Sequence, residues 1–179
     1  MDVKEASLTA VFASLYVVIN ILQSLLVGNP SIYGPIQLRV ADCLIALSAL
    51  FGWPVVIGVS VGGLITNAYY FLAPVDVVLG PIANLVAAII IMTFRKRRLL
   101  ACIIGALPIG IIVGGYLWLF FPPPDIFGLA LPIWAAMIVS ITLSSWIAIA
   151  VLGYSLLTIF SRTNIIGPLK SRGLKVLSS

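Results

Sequence analysis

Apolar residues run along this chain in long blocks, and the breaks between them set out its plan. The first block extends from about Ser7 to Val27 and ends in Gly28-Asn29-Pro30-Ser31-Ile32-Tyr33-Gly34-Pro35, a stretch dense in helix breakers. A shorter block runs from about Ile36 to Phe51 and stops at Gly52-Trp53-Pro54. The third covers about Val55 to Leu72, before Ala73-Pro74-Val75-Asp76. The fourth, about Val77 to Phe94, ends on Arg95-Lys96-Arg97-Arg98. A fifth runs from about Leu99 to Phe121 and meets the stiff loop Pro122-Pro123-Pro124-Asp125-Ile126-Phe127-Gly128. The sixth lies between about Leu131 and Phe160, and a basic tail follows over about 161–179. About 20 apolar residues suffice for a helix to cross a bilayer. The pattern predicts an all-α fold: one domain, residues 1–179, built as a bundle of six transmembrane helices.

Composition agrees. Charged residues make up 8% of the chain and apolar residues 62%, whereas a soluble domain carries roughly 25% charged residues. The placement of the basic residues adds orientation. Lys4, the Arg95–Arg98 cluster and the tail residues Arg162, Lys170, Arg172 and Lys175 account for all of them but Arg39. The opposite loops 28–35, 73–76 and 122–128 contain no Lys or Arg. Positive charge gathers on the cytoplasmic side of membrane proteins, so both termini are expected to be cytoplasmic. The chain is expected in the cell membrane as a multi-pass protein, with the lipid bilayer, not nucleic acid, as the partner of its basic residues. The first block extends to about Val27 with no small-residue cleavage site after it, and reads as a retained span.

Several chemistries are disfavoured. No histidine occurs, and there is no Gly-x-x-x-x-Gly-Lys-Ser/Thr loop, HExxH, CxxC or GxSxG. Cys43 and Cys102 both lie inside apolar blocks, where a disulfide is not expected. An enzyme is therefore not expected, nor are catalytic residues, a metal or a cofactor.

What remains is a small set of polar residues inside the apolar blocks. Arg39 and Asp42 stand three apart near the start of the second, where a helix would place them on one face. A charge within the bilayer is costly and is a functional candidate for that reason. The two side chains either neutralise each other, with Arg39 reaching to the outer surface, or point into a cavity open to the outside and hold a polar solute. Asn67 ends the third block, Asp76 opens the fourth, and Asn84 lies two turns further in. Asp76 also suits a helix N-cap, and Gly80-Pro81 should loosen the backbone beside Asn84. By topology, Arg39, Asp42, Asn67, Asp76 and Asn84 would line one outward-facing site. The carboxylates would accept hydrogen bonds from ligand amino groups, Arg39 would orient Asp42 or a ligand carbonyl, and the asparagines would read a ring edge. Tyr33, Tyr69, Tyr70, Trp118, Phe127 and Trp134 fall near the same side, to stack on a planar solute or to form an interfacial belt. Small residues recur at four-residue spacing: Ala6, Ala10 and Ser14; Gly58 and Gly62; Gly110 and Gly114; Ala136, Ser140, Ser144 and Ala148. Such stripes let helices approach closely, within the bundle or against another subunit.

Three stretches carry a resemblance. Gln37-Leu38-Arg39-Val40-Ala41-Asp42-Cys43-Leu44, Gly62-Gly63-Leu64-Ile65-Thr66-Asn67, and Asp76-Val77-Val78-Leu79-Gly80-Pro81-Ile82-Ala83-Asn84-Leu85-Val86-Ala87-Ala88 resemble the QueT family, substrate-binding S components of energy-coupling factor (ECF) transporters. The likeness is continuous over about 34–90, with Asp42 and Asn84 standing where the family pattern usually has Glu and Thr. It implies capture of a queuosine or archaeosine precursor, a 7-deazaguanine. It also implies three partner chains, a transmembrane coupling subunit and two ATPase subunits. In the family an Ala-x-x-x-Ala stripe on the first helix meets the coupling subunit, and Ala6 and Ala10 fit that stripe. The resemblance further implies transport by tipping of the whole S component in the membrane. The alternative is a self-sufficient secondary transporter of a small polar solute, for which Asp42 would be the ion-coupling group.

Overall fold

The computed structural model describes residues 2–28, 32–33, 36–122, 125–126, 128, 130–171 and 173–177. The side chain of Tyr33, and Phe127 and Arg172 altogether, lie outside the described residues. The first helix, α1 (Val3–Val27), opens on a capping box: the Glu5 N–H donates to the Asp2 carboxylate at 2.8 Å, and the Asp2 N–H donates back to Glu5 at 3.1 Å. Two short strands follow, β1 (Ile32–Tyr33) and β2 (Ile36–Gln37), paired antiparallel. A 3₁₀ segment, Val40–Leu47, continues into α2 (Ser48–Phe51). Gly52, at φ 63, turns the chain sharply into α3 (Trp53–Tyr69). The remaining helices are α4 (Pro74–Thr93), α5 (Arg98–Leu117), α6 (Ile133–Ser145) with a π-helical continuation over Trp146–Gly153, α7 (Tyr154–Phe160) and α8 (Thr163–Ser171).

Four stretches are long and apolar enough to cross a membrane: Val3–Val27, Pro74–Thr93, Arg95–Leu117 and Ile133–Phe160. Val40–Phe51 and Trp53–Tyr69 are shorter apolar helices. Among the described residues, helices α1, α3, α4, α5 and α6 pack in that order, each on the next. The 3₁₀ segment sits inside this row, against α1, α3, α4, α7 and the π-helical segment. Accordingly Ala41, Asp42 and all of Leu44–Phe51 are buried. The shortest of the apolar blocks is thus the inner column of the bundle.

The second block departs from expectation at its start. Helix was expected from about Ile36, but Ile36–Gln37 is strand and helical winding begins at Val40. The reason is a set of side-chain partners for the backbone. Gln23 of α1 donates to the Leu38 carbonyl at 2.7 Å and accepts from the Val40 N–H at 2.8 Å, while the Gln37 N–H donates to Ser144 Oγ at 2.8 Å. Backbone groups satisfied this way have no need of a helical ladder. Arg39 is therefore extended, at φ −112 and ψ 100, and precedes the helix whose face it was expected to share with Asp42. Helix α4, by contrast, starts earlier than expected, because Pro74 suits the first helical turn. Its N-cap is Ala73, so Asp76 lies within the first turn and is not the N-cap.

The small-residue stripes separate into two kinds. Gly58 and Gly62 of α3 lie against Phe12, Ala13 and Tyr16 of α1, and Gly114 of α5 lies against the Ile138 backbone of α6. Ala136, Ser140, Ser144 and Ala148 are all buried. These three stripes pack the bundle. Ala6, Ala10 and Ser14 are exposed, on a helix whose apolar window is only 22% buried against 39–44% in the other three long ones. At this end of the bundle the two ends of the described chain meet. Lys175 Nζ lies 2.9 Å from Glu5 Oε1, and the Leu177 N–H donates to the Leu50 carbonyl at 2.7 Å.

Candidate functional site

A cavity of about 240 Å³ opens between the helices in the half of the bundle away from Arg95–Arg98. It is somewhat smaller than the roughly 300–1,000 Å³ of sites for drug-sized ligands, which suits a solute of one or two fused rings. Arg39, Asp42, Asn67, Asp76 and Asn84 all line it. One wall is apolar: Ile109, Val113 and Leu117 project from α5 at four-residue spacing, with Phe121 beyond. The polar lining comes from α1, the extended segment at Arg39, α3, α4 and, through Ser144 and Ser145, α6.

Two tyrosines hold the carboxylates. The Tyr16 hydroxyl donates to Asp42 Oδ1 at 2.6 Å, and the Tyr116 hydroxyl donates to Asp76 Oδ1 at 2.7 Å. Asn84 Nδ2 in turn donates to the Tyr16 hydroxyl at 2.9 Å. A chain Asn84→Tyr16→Asp42 therefore joins α4, α1 and the 3₁₀ segment. Tyr16 has its one proton committed to Asp42 and a lone pair committed to Asn84, which fixes its rotor. Asp42 is 5% exposed and Asp76 8%. Among the described residues no donor reaches the second carboxylate oxygen of either.

The asparagines are placed differently from the ring-edge role expected of them. Besides the Asn84 bond to Tyr16, Asn67 Nδ2 donates to the main-chain carbonyl of Asp76 at 2.9 Å. Each asparagine also fills a glycine notch on the neighbouring helix: Asn84 of α4 lies against Gly63 of α3, and Asn67 of α3 against Gly80 of α4. The amides thus fasten α3 to α4 and aim the two acids. Arg39 is half-buried and lines the cavity, and no described residue forms an ion pair with it. Asp42 accepts from a hydroxyl, and Arg39 acts on it through space without a contact ion pair among the described residues.

Several lining residues lay outside the expected set. Asn20 and Gln23 of α1 line the cavity, and Tyr16 precedes them at helical spacing i, i+4, i+7. That stripe is a readable signal, a polar edge on an otherwise apolar helix. Tyr116 offered no such signal. Of the aromatics near this end, Tyr70 lines the cavity beside Phe71, whereas Tyr69 and Trp134 are exposed in the manner of an interfacial belt. Cys43 and Cys102 are free thiols.

Compared with family models, residues 7–162 match the one described as QueT transporter. The comparisons with curated proteins and with solved structures gave no match.

Proposed function

Since the chain belongs to the QueT transporter family and is a multi-pass membrane protein, we propose that it is the substrate-binding S component of an ECF-type importer, taking a 7-deazaguanine precursor of queuosine or archaeosine from outside the cell. The observation that carries this reading is the cavity itself. Among the described residues it presents an arginine outside any contact ion pair and two carboxylate oxygens without donors, together with an apolar stretch of α5. A flat heterocycle with amino donors on one edge and a carbonyl acceptor matches that set. Asp42 and Asp76 take the amino groups, Arg39 takes the carbonyl, and the α5 wall packs on the ring face. Asn67, Asn84, Tyr16 and Tyr116 position the acids.

In this reading the single domain spans the membrane six times, the two shorter apolar helices included, with both termini cytoplasmic. The basic residues support that orientation, and the cavity then faces outward. A transmembrane coupling subunit docks on the exposed Ala6–Ala10 face of α1, and two ATPase subunits supply hydrolysis. The exposure of that stripe, alone among the four, supports the assignment.

Purified from a host that makes the precursor, the chain should carry it, identified by mass spectrometry after denaturation; a protein that emerges and stays empty when titrated with 7-deazaguanines would sink the reading. Uptake in whole cells should require co-expressed coupling and ATPase subunits, whereas a secondary transporter would work without them. Ala6→Leu with Ala10→Leu should leave solute binding by the purified chain unchanged and abolish that uptake. Tyr16→Phe removes one donor to a carboxylate, an interaction worth about 1.5–3 kcal/mol. Affinity measured by calorimetry should therefore fall by about 10- to 100-fold.

A further inference from the structure

We propose that the opposite end of the bundle holds the headgroup phosphate of an anionic phospholipid, with Arg95 as its main contact. The site is separate from the solute cavity, and the inference stands whatever that cavity holds. A second cavity, of about 490 Å³, opens where the start of α1, the turn at Gly52, the end of α4 and the returning chain at Lys175 and Leu177 come together. Its lining mixes charged groups with apolar ones: Glu5, Arg95 and Lys175 beside Phe51, Trp53 and Met92.

Charge at this end is one-sided. Of the five acids, Asp42 and Asp76 line the other cavity and Asp125 follows the far end of α5. Asp2 and Glu5 remain, and Lys175 lies 3.7 Å and 2.9 Å from them. Arg95 has no contact ion pair among the described residues. It is also poorly served by hydrogen bonds. One terminal nitrogen donates to the Met92 carbonyl at 3.3 Å, longer than the usual range. Its Nε is buried with no partner among the described residues. A buried donor without an acceptor is costly. A small turn of the side chain toward a phosphate removes that cost, because two phosphate oxygens accept side by side from the guanidinium fork. The surroundings favour a lipid over a soluble phosphate. Trp53, in the cavity lining, and Phe94, next to Arg95 in the chain, are both more than half exposed. Aromatic rings gather at headgroup depth, and basic residues beside a membrane span attract anionic lipids. A soluble anion gains nothing from these rings, whereas a phospholipid lays its glycerol and upper acyl chains against them.

The test mixes the purified full chain in detergent with phosphatidylglycerol and phosphatidylcholine of identical acyl chains, and reads the retained lipid by native mass spectrometry. Phosphatidylglycerol should be retained about 10-fold better, as expected for hydrogen bonds to a charged group. Arg95→Gln should remove most of that preference. Arg97→Gln takes the same charge from the same cluster outside the cavity, and should change retention by less than about 2-fold, as for an exposed charge. Arg95→Lys keeps the charge and loses the fork; its retention should fall between the parent and Arg95→Gln, and it carries the test if Arg95→Gln does not fold. Equal retention of the two lipids overturns the proposal. So does an equal loss in the Arg95 and Arg97 variants, which would mean diffuse attraction without a site. Displacement of the lipid by inorganic phosphate, and not by chloride at the same ionic strength, would assign the site to a soluble phosphate and overturn the lipid.

Discussion

Asp42→Asn should weaken solute binding while leaving the protein folded, and its unliganded form should be no less stable than before. The two effects have opposite sign for one reason. Without solute, Asp42 is a buried carboxyl group that receives a hydroxyl from Tyr16 and makes no contact ion pair among the described residues. Such a group costs more in desolvation than its neutral hydrogen bond returns. Asparagine keeps a carbonyl oxygen for the Tyr16 donor and discards the charge. With solute bound, the same change removes a charged acceptor of the solute's amino donors, which costs about 1.5–3 kcal/mol. Affinity should drop by about 10- to 100-fold. Calorimetry gives the affinity, and thermal unfolding in detergent, with and without solute, gives the stability. A variant that binds as tightly as the parent, or one that will not fold, removes Asp42 from the role assigned to it.

Gly62→Ala should damage the site without touching it. A Cβ at residue 62 would stand 2.8 Å from the Cβ of Tyr16 and 2.9 Å from the Ala13 carbonyl oxygen. The second neighbour is backbone and cannot rotate away, so α1 and α3 must separate. Overpacking of this kind costs about 1–3 kcal/mol. The shift falls on Tyr16, which is fully buried and aims Asp42. The melting temperature and the solute affinity should therefore fall together. Gly115→Ala is the control, since nothing lies within 4 Å of a Cβ there and the residue is exposed. If Gly62→Ala matches that control in both measurements, the α1–α3 approach does not set the site.

The expected acids and amides were legible because each is polar inside an apolar block, where a soluble partner is unavailable. Asp42, Asn67, Asp76 and Asn84 could be picked out that way, and all four line the cavity. Their division of labour was not legible. Whether Asn84 meets a solute or a tyrosine depends on what α1 places opposite it, and one chain position says nothing of that. Tyr116 was hidden for a different reason. A Tyr near the end of a span reads as an interfacial anchor, and only the packing of α5 on α4 shows Tyr116 pointing inward to Asp76. The four long helices were plain from length and hydropathy. The start of the second block was not, because the competitor for its backbone hydrogen bonds was Gln23, distant in sequence. Nor does apolar periodicity distinguish 3₁₀ or π winding from α in so uniformly apolar a stretch.

The irregular winding of residues 36–51 has a consequence for reach. As one continuous α-helix these residues would extend about 24 Å, short of the roughly 30 Å of hydrocarbon. Laid out as they are, with extended backbone through Arg39, 3₁₀ winding over Val40–Leu47 and one α-turn over Ser48–Phe51, they can extend up to about 35 Å. Under the six-span arrangement proposed above, the stretch with the fewest residues crosses by using more length per residue. The extended part that supplies this length has open backbone groups, which Gln23 and Ser144 satisfy. In that arrangement, unwinding the start of this column does two things at once: it would let a short segment bridge the membrane, and it frees Arg39 from a helix surface to line the cavity.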